Sequence, residues 1–189
     1  NSNTVIVAAG AYSAKICRMA GVDIPIYPVR QQLFRCRLAR RLPYRFPVVV
    51  DPSGVHWRHY DPVGPDGKDG IIIARTNLDE DPGENFACDM TRWEPHFRDP
   101  VLKRAPTLED MELVEGWAGL YEMTPDHNPV IGAHPKREGF YVAAGFSGHG
   151  LMMAPAVGHV LSRLILTGKS PLIAISDFDV ERFARNKTL

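Results

Sequence analysis

The six residues Gly145-Phe146-Ser147-Gly148-His149-Gly150 constrain this chain more than any other stretch, because they join an apolar strand, Phe140 to Ala144, to an apolar helix running from Leu151 to Leu166. Three glycines in six positions allow backbone conformations that other residues avoid and let the chain pass close beneath a flat ligand. The first N–H groups of the following helix have no acceptor within it and sit at the positive end of its dipole. The predicted unit is a strand, a sharp turn and a helix, with an amide cradle at the bend suited to an anion or an electron-rich ring edge. The same spacing also describes a tight turn with no ligand, so the rest of the sequence has to decide.

The start of the chain has a related shape. Thr4-Val5-Ile6-Val7-Ala8-Ala9-Gly10 reads as a fully buried parallel strand entering a glycine turn, followed by a helix from about Ser13 to Ala20 that stops at Gly21. A lone βα unit cannot bury both faces of its strand, and no second βαβ series follows. The chain is therefore expected to be the C-terminal part of a longer protein.

Beyond Gly21 the pattern changes to strands with polar interruptions: Tyr27 to Leu38, Phe46 to Asp51, Val55 to Tyr60 and Gly70 to Arg75. Turn signals at Asp51-Pro52-Ser53-Gly54 and across Pro62 to Gly70 separate them, which predicts an antiparallel sheet. Short helices are predicted over Thr91 to Phe97 and from Asp99-Pro100 to about Arg104, the latter opening with an N-cap followed by proline. A long strand from Leu108 to Met123 ends at Thr124-Pro125-Asp126; Val130-Ile131-Gly132 and Phe140 to Ala144 then return the chain to a buried sheet. A last short helix is predicted over Asp177 to Ala184.

Composition removes several classes of function. Lys plus Arg and Asp plus Glu each total 22, and no basic stripe carries interleaved aromatics, so nucleic acid is not an expected partner. Cys17, Cys36 and Cys88 are odd in number and far apart, which fits neither a disulfide framework nor a metal knuckle and makes a reducing, cytoplasmic compartment the default. His56 and His59 fall on opposite faces of a strand, so no shared metal site is expected. No leader is read at the start, and the apolar run Leu151 to Leu166 is interrupted by Pro155, His159, Ser162 and Arg163, so no membrane span is expected. No nucleophile stands with a recognisable base, which leaves hydrolysis without support.

Three segments stand out together: Val7-Ala8-Ala9-Gly10-Ala11-Tyr12-Ser13; Trp117-Ala118-Gly119-Leu120-Tyr121-Glu122-Met123-Thr124-Pro125-Asp126-His127-Asn128-Pro129-Val130-Ile131-Gly132; and the glycine run continued by Leu151-Met152-Met153-Ala154-Pro155. In this order and spacing the chain resembles, over essentially its whole length, the C-terminal half of flavin-dependent amino-acid oxidoreductases of the D-amino-acid oxidase superfamily. The most similar group holds sarcosine oxidases, glycine oxidases and the β subunits of L-proline dehydrogenases. The resemblance implies an α+β fold, an antiparallel-sheet substrate domain over residues 27–123 plus the C-terminal remnant of a Rossmann-like FAD domain over 1–26 and 124–189. The family's GxGxxG fingerprint, which receives the pyrophosphate of FAD, is absent here. FAD is therefore expected to be a non-covalent cofactor that this chain alone does not hold tightly, and the remainder of the FAD domain is an expected partner.

The resemblance also assigns residues. Ala9, Gly10 and Ser13 would pass near the ADP portion of FAD, while Gly145, Phe146, Ser147, Gly148, His149, Gly150, Leu151 and Met152 would line the pyrimidine side of the flavin ring. Amides there, with the helix dipole, would stabilise the charge of a reduced flavin. His149 is the candidate catalytic residue, with a simple helix-start role as its alternative. Sarcosine oxidases attach flavin through a cysteine where this chain has Gly119, and they clamp the substrate carboxylate with a lysine where it has Met152. Either Arg58 or an arginine outside this sequence would replace that cation. A lysine that speeds reaction with oxygen corresponds to Ile72 or Ile73, which favours a dehydrogenase. Trp57 is a candidate substrate lid or a plain sheet-face aromatic, and Tyr121 a candidate substrate or flavin neighbour or a core residue. Asp126-His127 resembles a catalytic pair only superficially; the turn around it is expected to fix backbone geometry.

The implied function is FAD-dependent oxidation of a primary or secondary amine of an amino acid, with an amino-acid substrate and a partner subunit or second copy as associates. The alternatives are a flavoprotein-like subunit or assembly factor without amine turnover, and an inactive fragment.

Overall fold

A computed structural model describes residues 2–60, 69–76, 79–170 and 173–185. Its elements in chain order are β1 (Val5–Val7), α1 (Ser13–Met19), β2 (Tyr27–Arg37), β3 (Val49–Val50), β4 (Val55–Tyr60), β5 (Gly70–Arg75), α2 (Asp99–Arg104), β6 (Glu112–Met123), β7 (Val130–Ala133), β8 (Phe140–Ala144), α3 (Gly150–Thr167) and α4 (Ile175–Phe178). The fold is α+β. It divides into a first unit, Asn1–Val29 with Tyr121–Leu189, and a second, Arg30–Leu120, the chain crossing between them inside β2 and β6. Most of the predicted turn stretch between Pro62 and Gly70 lies outside the described residues.

The second unit is a sheet of order β3-β4-β5-β2-β6 covered on one face by helical segments. Strand alternation sends Phe34 and Cys36 of β2, Val55 and Trp57 of β4, and Ile71 and Ile73 of β5 to the same side, where Trp93, Phe97, Val101 and Leu108 close the core. The covering segment begins as a 3-10 turn at Met90–Arg92, whose entry is capped by Asp89, widens into a π-helix over Trp93–Arg98 and continues as α2. Pro95 lies inside that wide turn, where it removes one backbone donor. Phe34 meets Phe97 edge to face at 4.6 Å between ring centroids, which aligns the segment on the sheet.

The first unit is built on a three-stranded sheet of order β1-β8-β7, with β1 parallel and β7 antiparallel to β8. One face of it buries Val7, Phe140, Val142 and Ala144 against Ala14 and Cys17 of α1. The other face seats Ile131, Ala143 and Phe146 against Val157, Val160 and Leu161 of α3, an i, i+3, i+4 stripe. Helix α3 runs unbroken through Pro155. By length and apolarity alone α3 could cross a membrane, but this stripe is the packing surface of a helix laid on a sheet.

Several expectations change in the structure. The first strand is shorter than Thr4 to Gly10 and is not fully buried: Val5 and Ile6 are about half exposed, at 46% and 50%, because β1 is the edge of its sheet among the described residues. The strand expected over Phe46 to Asp51 is only Val49–Val50, and the one expected from Leu108 begins at Glu112, since Pro106–Leu108 forms a 3-10 turn. The last helix resolves into α4 and a 3-10 turn at Val180–Arg182.

Candidate functional site

The glycine run is a strained loop held from below. Gly145 and Gly148 have φ of +82° and +94°, and Ser147 itself has φ +51°. A Cβ on Gly148 would stand 2.5 Å from Cε2 of Tyr121, and one on Gly145 would stand 2.5 Å from Cγ2 of Thr124. Both glycines are thus required twice, for backbone conformation and for closeness to β6 and its end. The structure brings Tyr121 directly beneath Gly148, where burial pushes its phenol above the ordinary range.

One side chain that the sequence did not single out ties this loop together. Glu122 accepts the Gly145 N–H at 2.9 Å through Oε2, and its backbone carbonyl accepts the Ser147 N–H at 3.1 Å. Burial pushes its carboxyl above the usual carboxylate range, against the opposing pull of the Gly145 and Phe146 amides. The only signal in the sequence is a glutamate on a long alternating strand, which reads as a solvent-facing position until Gly145 is known to lie beside it.

Beyond the loop, His149 is the N-cap of α3 and its side chain makes no capping bond; the residue is exposed. The carbonyl of His149 takes the Met153 N–H at 3.2 Å, so the amides of Gly150, Leu151 and Met152 precede the helix's own ladder. No acidic residue occupies this first turn, and the Leu151 and Met152 side chains are 93% and 74% exposed. The turn after β1 lies on the same unit. Gly10 has φ +55°, and a Cβ placed on it would approach Oε2 of Glu122 at 4.0 Å. Ser13 is fully buried and its hydroxyl accepts the Ala9 N–H at 3.1 Å, which sets the direction of α1. A recess of about 680 Å³ opens between these parts, lined by Ile6, Ala8, Gly10, Glu122, Phe146 and Gly150 with the inner face of α3 beyond. Such a volume suits a drug-sized or cofactor-sized ligand.

These residues fit a flavin in two respects. The amides at the start of α3 offer donors and a positive dipole end to an electron-rich edge, and the recess beside them is apolar with one carboxyl. The predicted cofactor residues Ala9, Gly10, Ser13 and Gly145 to Met152 all lie in the first unit, together with Tyr121.

The other two predicted substrate residues lie in the second unit. Trp57, expected as a lid or a sheet-face aromatic, is 5% exposed and packed in the core with Val55 and Ile73, so the sheet-face reading describes its position. Arg58 points to the opposite face of the sheet, exposed, with its guanidinium 5.5 Å from the centre of the Tyr60 ring. Register separates the two isoleucines: Ile73 is in the core, while Ile72 stands on the Arg58 face, paired with Arg58 on one side and Arg35 on the other. Among the described residues no cluster of three or more His, Cys, Asp or Glu could hold a metal ion.

Comparison with known proteins adds the family. The family model described as FAD dependent oxidoreductase (DAO) matches residues 1–164. The FAD-dependent oxidoreductase domain-containing protein 1 of Bos taurus is 32% identical over 95% of this chain and 39% of its own length. Monomeric sarcosine oxidase of Bacillus sp. (strain B-0618) is 28% identical over 100% of this chain and 49% of its own. The solved structure of L-proline dehydrogenase from P. horikoshii matches with a TM-score of 0.84 at 32% identity, over 98% of this chain and 48% of that one. The chain thus spans less than half the length of each of these relatives. The glycine loop, the strand beneath it and the helix it opens are parts of a chain that belongs to the FAD-dependent oxidoreductase family.

Proposed function

We propose that this chain supplies the C-terminal portion of a cytoplasmic flavoenzyme that oxidises a primary or secondary amine of an amino acid of the proline, sarcosine or glycine type. The observation that carries this reading is the amide cradle at the start of α3 facing an apolar recess, on a chain whose relatives include a sarcosine oxidase and an L-proline dehydrogenase. When bound, FAD would supply a two-electron acceptor for hydride from the carbon that bears the nitrogen, and the resulting imine would be hydrolysed by water. The amides of Gly150, Leu151 and Met152 favour negative charge at the ring edge, and one well-placed donor of this kind is worth roughly 2.7–4 kcal/mol in other enzymes. Tyr121 supports the loop from below, and the exposed His149 side chain is available at its rim. Gly119 offers no side chain for covalent attachment, so the flavin is held non-covalently. Ile72 or Ile73 in place of a cation favours a dehydrogenase that passes electrons to an acceptor other than oxygen.

The test is anaerobic addition of proline, sarcosine, glycine and D-amino acids to the flavin-loaded protein that contains this chain. Bleaching of the flavin absorbance by one of them is the expected result, and no bleaching by any overturns the substrate class. The second reading is a flavoprotein-like subunit or assembly factor without amine turnover, and the exposed Met152 in place of a substrate-clamping cation is compatible with both readings. A co-purifying subunit together with flavin that no amine reduces would support it.

A further inference from the structure

We propose that the Glu122 carboxylate binds the ribityl chain of the flavin, accepting a hydroxyl hydrogen bond between the Gly10 turn and the Gly145 loop. The inference rests on the flavin reading of the cradle given above and adds a residue to it.

Glu122 Oε2 is fixed by the Gly145 N–H at 2.9 Å and lies 4.0 Å from where a Gly10 Cβ would be, so the carboxyl stands between the two glycine turns and on the wall of the recess. In the flavin reading the Gly145–Met152 segment meets the pyrimidine edge of the ring and the Ala9–Ser13 segment meets the ADP portion. The part of FAD that joins ring to pyrophosphate is the ribityl chain, attached to the ring nitrogen that flanks the pyrimidine edge. A side chain set between those two segments meets that part.

A carboxylate offers about four acceptor positions and, when ionised, no donor. The backbone amides of Gly145 and Phe146 act on part of that capacity, leaving acceptor positions on a side chain that lines the recess. The matching ligand group is therefore a donor. A phosphate would be repelled, and the N1–C2=O side of the oxidised ring, from which the ribityl chain departs, has nothing to donate, whereas a ribityl hydroxyl satisfies the carboxylate without bringing charge. Gly10 explains how the chain can come close: with no side chain there, nothing but the carboxylate itself stands over that turn.

The test uses the FAD-binding protein that contains this chain and measures Kd by flavin fluorescence titration, with FAD and with analogues lacking one ribityl hydroxyl each. Wild type should bind one of these analogues roughly ten- to a hundred-fold more weakly than FAD, the range for a hydrogen bond to a charged group. Glu122→Ala should lose that discrimination, and Glu122→Gln should reduce it. If wild type and Glu122→Ala discriminate equally, or if wild type holds FAD and every analogue alike, the assignment is overturned. Should Glu122→Ala not fold, the wild-type series and Glu122→Gln decide the matter alone. Failure of wild type to bind FAD at all would instead remove the flavin reading beneath it.

Discussion

Arg182 and Asp126 form a two-bond ion pair out of contact with water: Nε reaches Oδ2 at 2.9 Å and Nη2 reaches Oδ1 at 3.0 Å, with the side chains 0% and 1% exposed. The same guanidinium donates to the carbonyls of Asn128 at 2.7 Å and Asp179 at 3.1 Å and stacks on Phe183 at 4.2 Å from the ring centre. The turn after β6 is thereby pinned to the segment after α4. Asp126, which resembles half of a catalytic pair in the sequence, is a structural anchor of the first unit. Arg182→Met takes the two-bond partner away from the buried Asp126 carboxylate and should cost about 3–5 kcal/mol in urea unfolding. The double variant Asp126→Leu/Arg182→Met should recover much of that loss. A single variant that loses less than about 1 kcal/mol would contradict the anchoring role.

Gly148→Ala should destabilise the first unit by at least about 2 kcal/mol, because φ of +94° and the 2.5 Å approach to Tyr121 Cε2 both oppose a Cβ. Gly119→Ala is the matched control, as nothing lies within 4 Å of a Cβ there and the change should stay within about 0.5 kcal/mol. Thermal melts of the two variants side by side check the contrast.

Glu122 makes stability depend on pH in a defined direction. Burial holds its carboxyl above the range it has in the unfolded chain, so the folded state binds its proton more tightly than the unfolded state does. Its contribution is then fully present below the unfolded pKa and is lost as pH rises through the folded one. Urea midpoints between pH 4 and 8, roughly the span in which raised carboxyls titrate, should fall less steeply with rising pH for Glu122→Gln than for wild type. Equal slopes would remove Glu122 as a titrating group.

The Cys36 thiol should be inert while the protein is folded. Cys36 is fully buried in the second unit's core and burial pushes its pKa up to about 12; Cys17 and Cys88 are raised by the same cause. Alkylation depends on the thiolate, so at pH 8 Cys36 should react roughly a thousand-fold more slowly than in denaturant. Iodoacetamide labelling followed by mass spectrometry measures this directly.

Long periodic segments were legible in the sequence: β4, β5, β8 and α3 fall within a residue of their expected ends. Where the expectation failed, the cause was tertiary. Val5 and Ile6 carry the composition of a buried strand, and only the sheet order shows that one side of β1 is open. Trp57 reads equally well as lid or core until the turn around Ala105–Leu108 and the segment before it are seen to cover its face. The glycine loop announced itself through composition, but Glu122 did not, because its partner is a backbone amide far along the chain, which no local pattern records.

The pairing of β1 with β8 also sets an order of assembly. Val5 lies opposite Phe140 in a parallel register, so the sheet of the first unit joins two segments that have the whole of Arg30–Leu120 between them. Among the described residues, the core of the second unit draws on positions 34 to 113 and is complete before β8 emerges from synthesis. That unit has the shorter loops to close and is expected to form first. The strand that carries the glycine loop at its end then docks after the second unit has formed, and the amide cradle is created as β8 closes on β1.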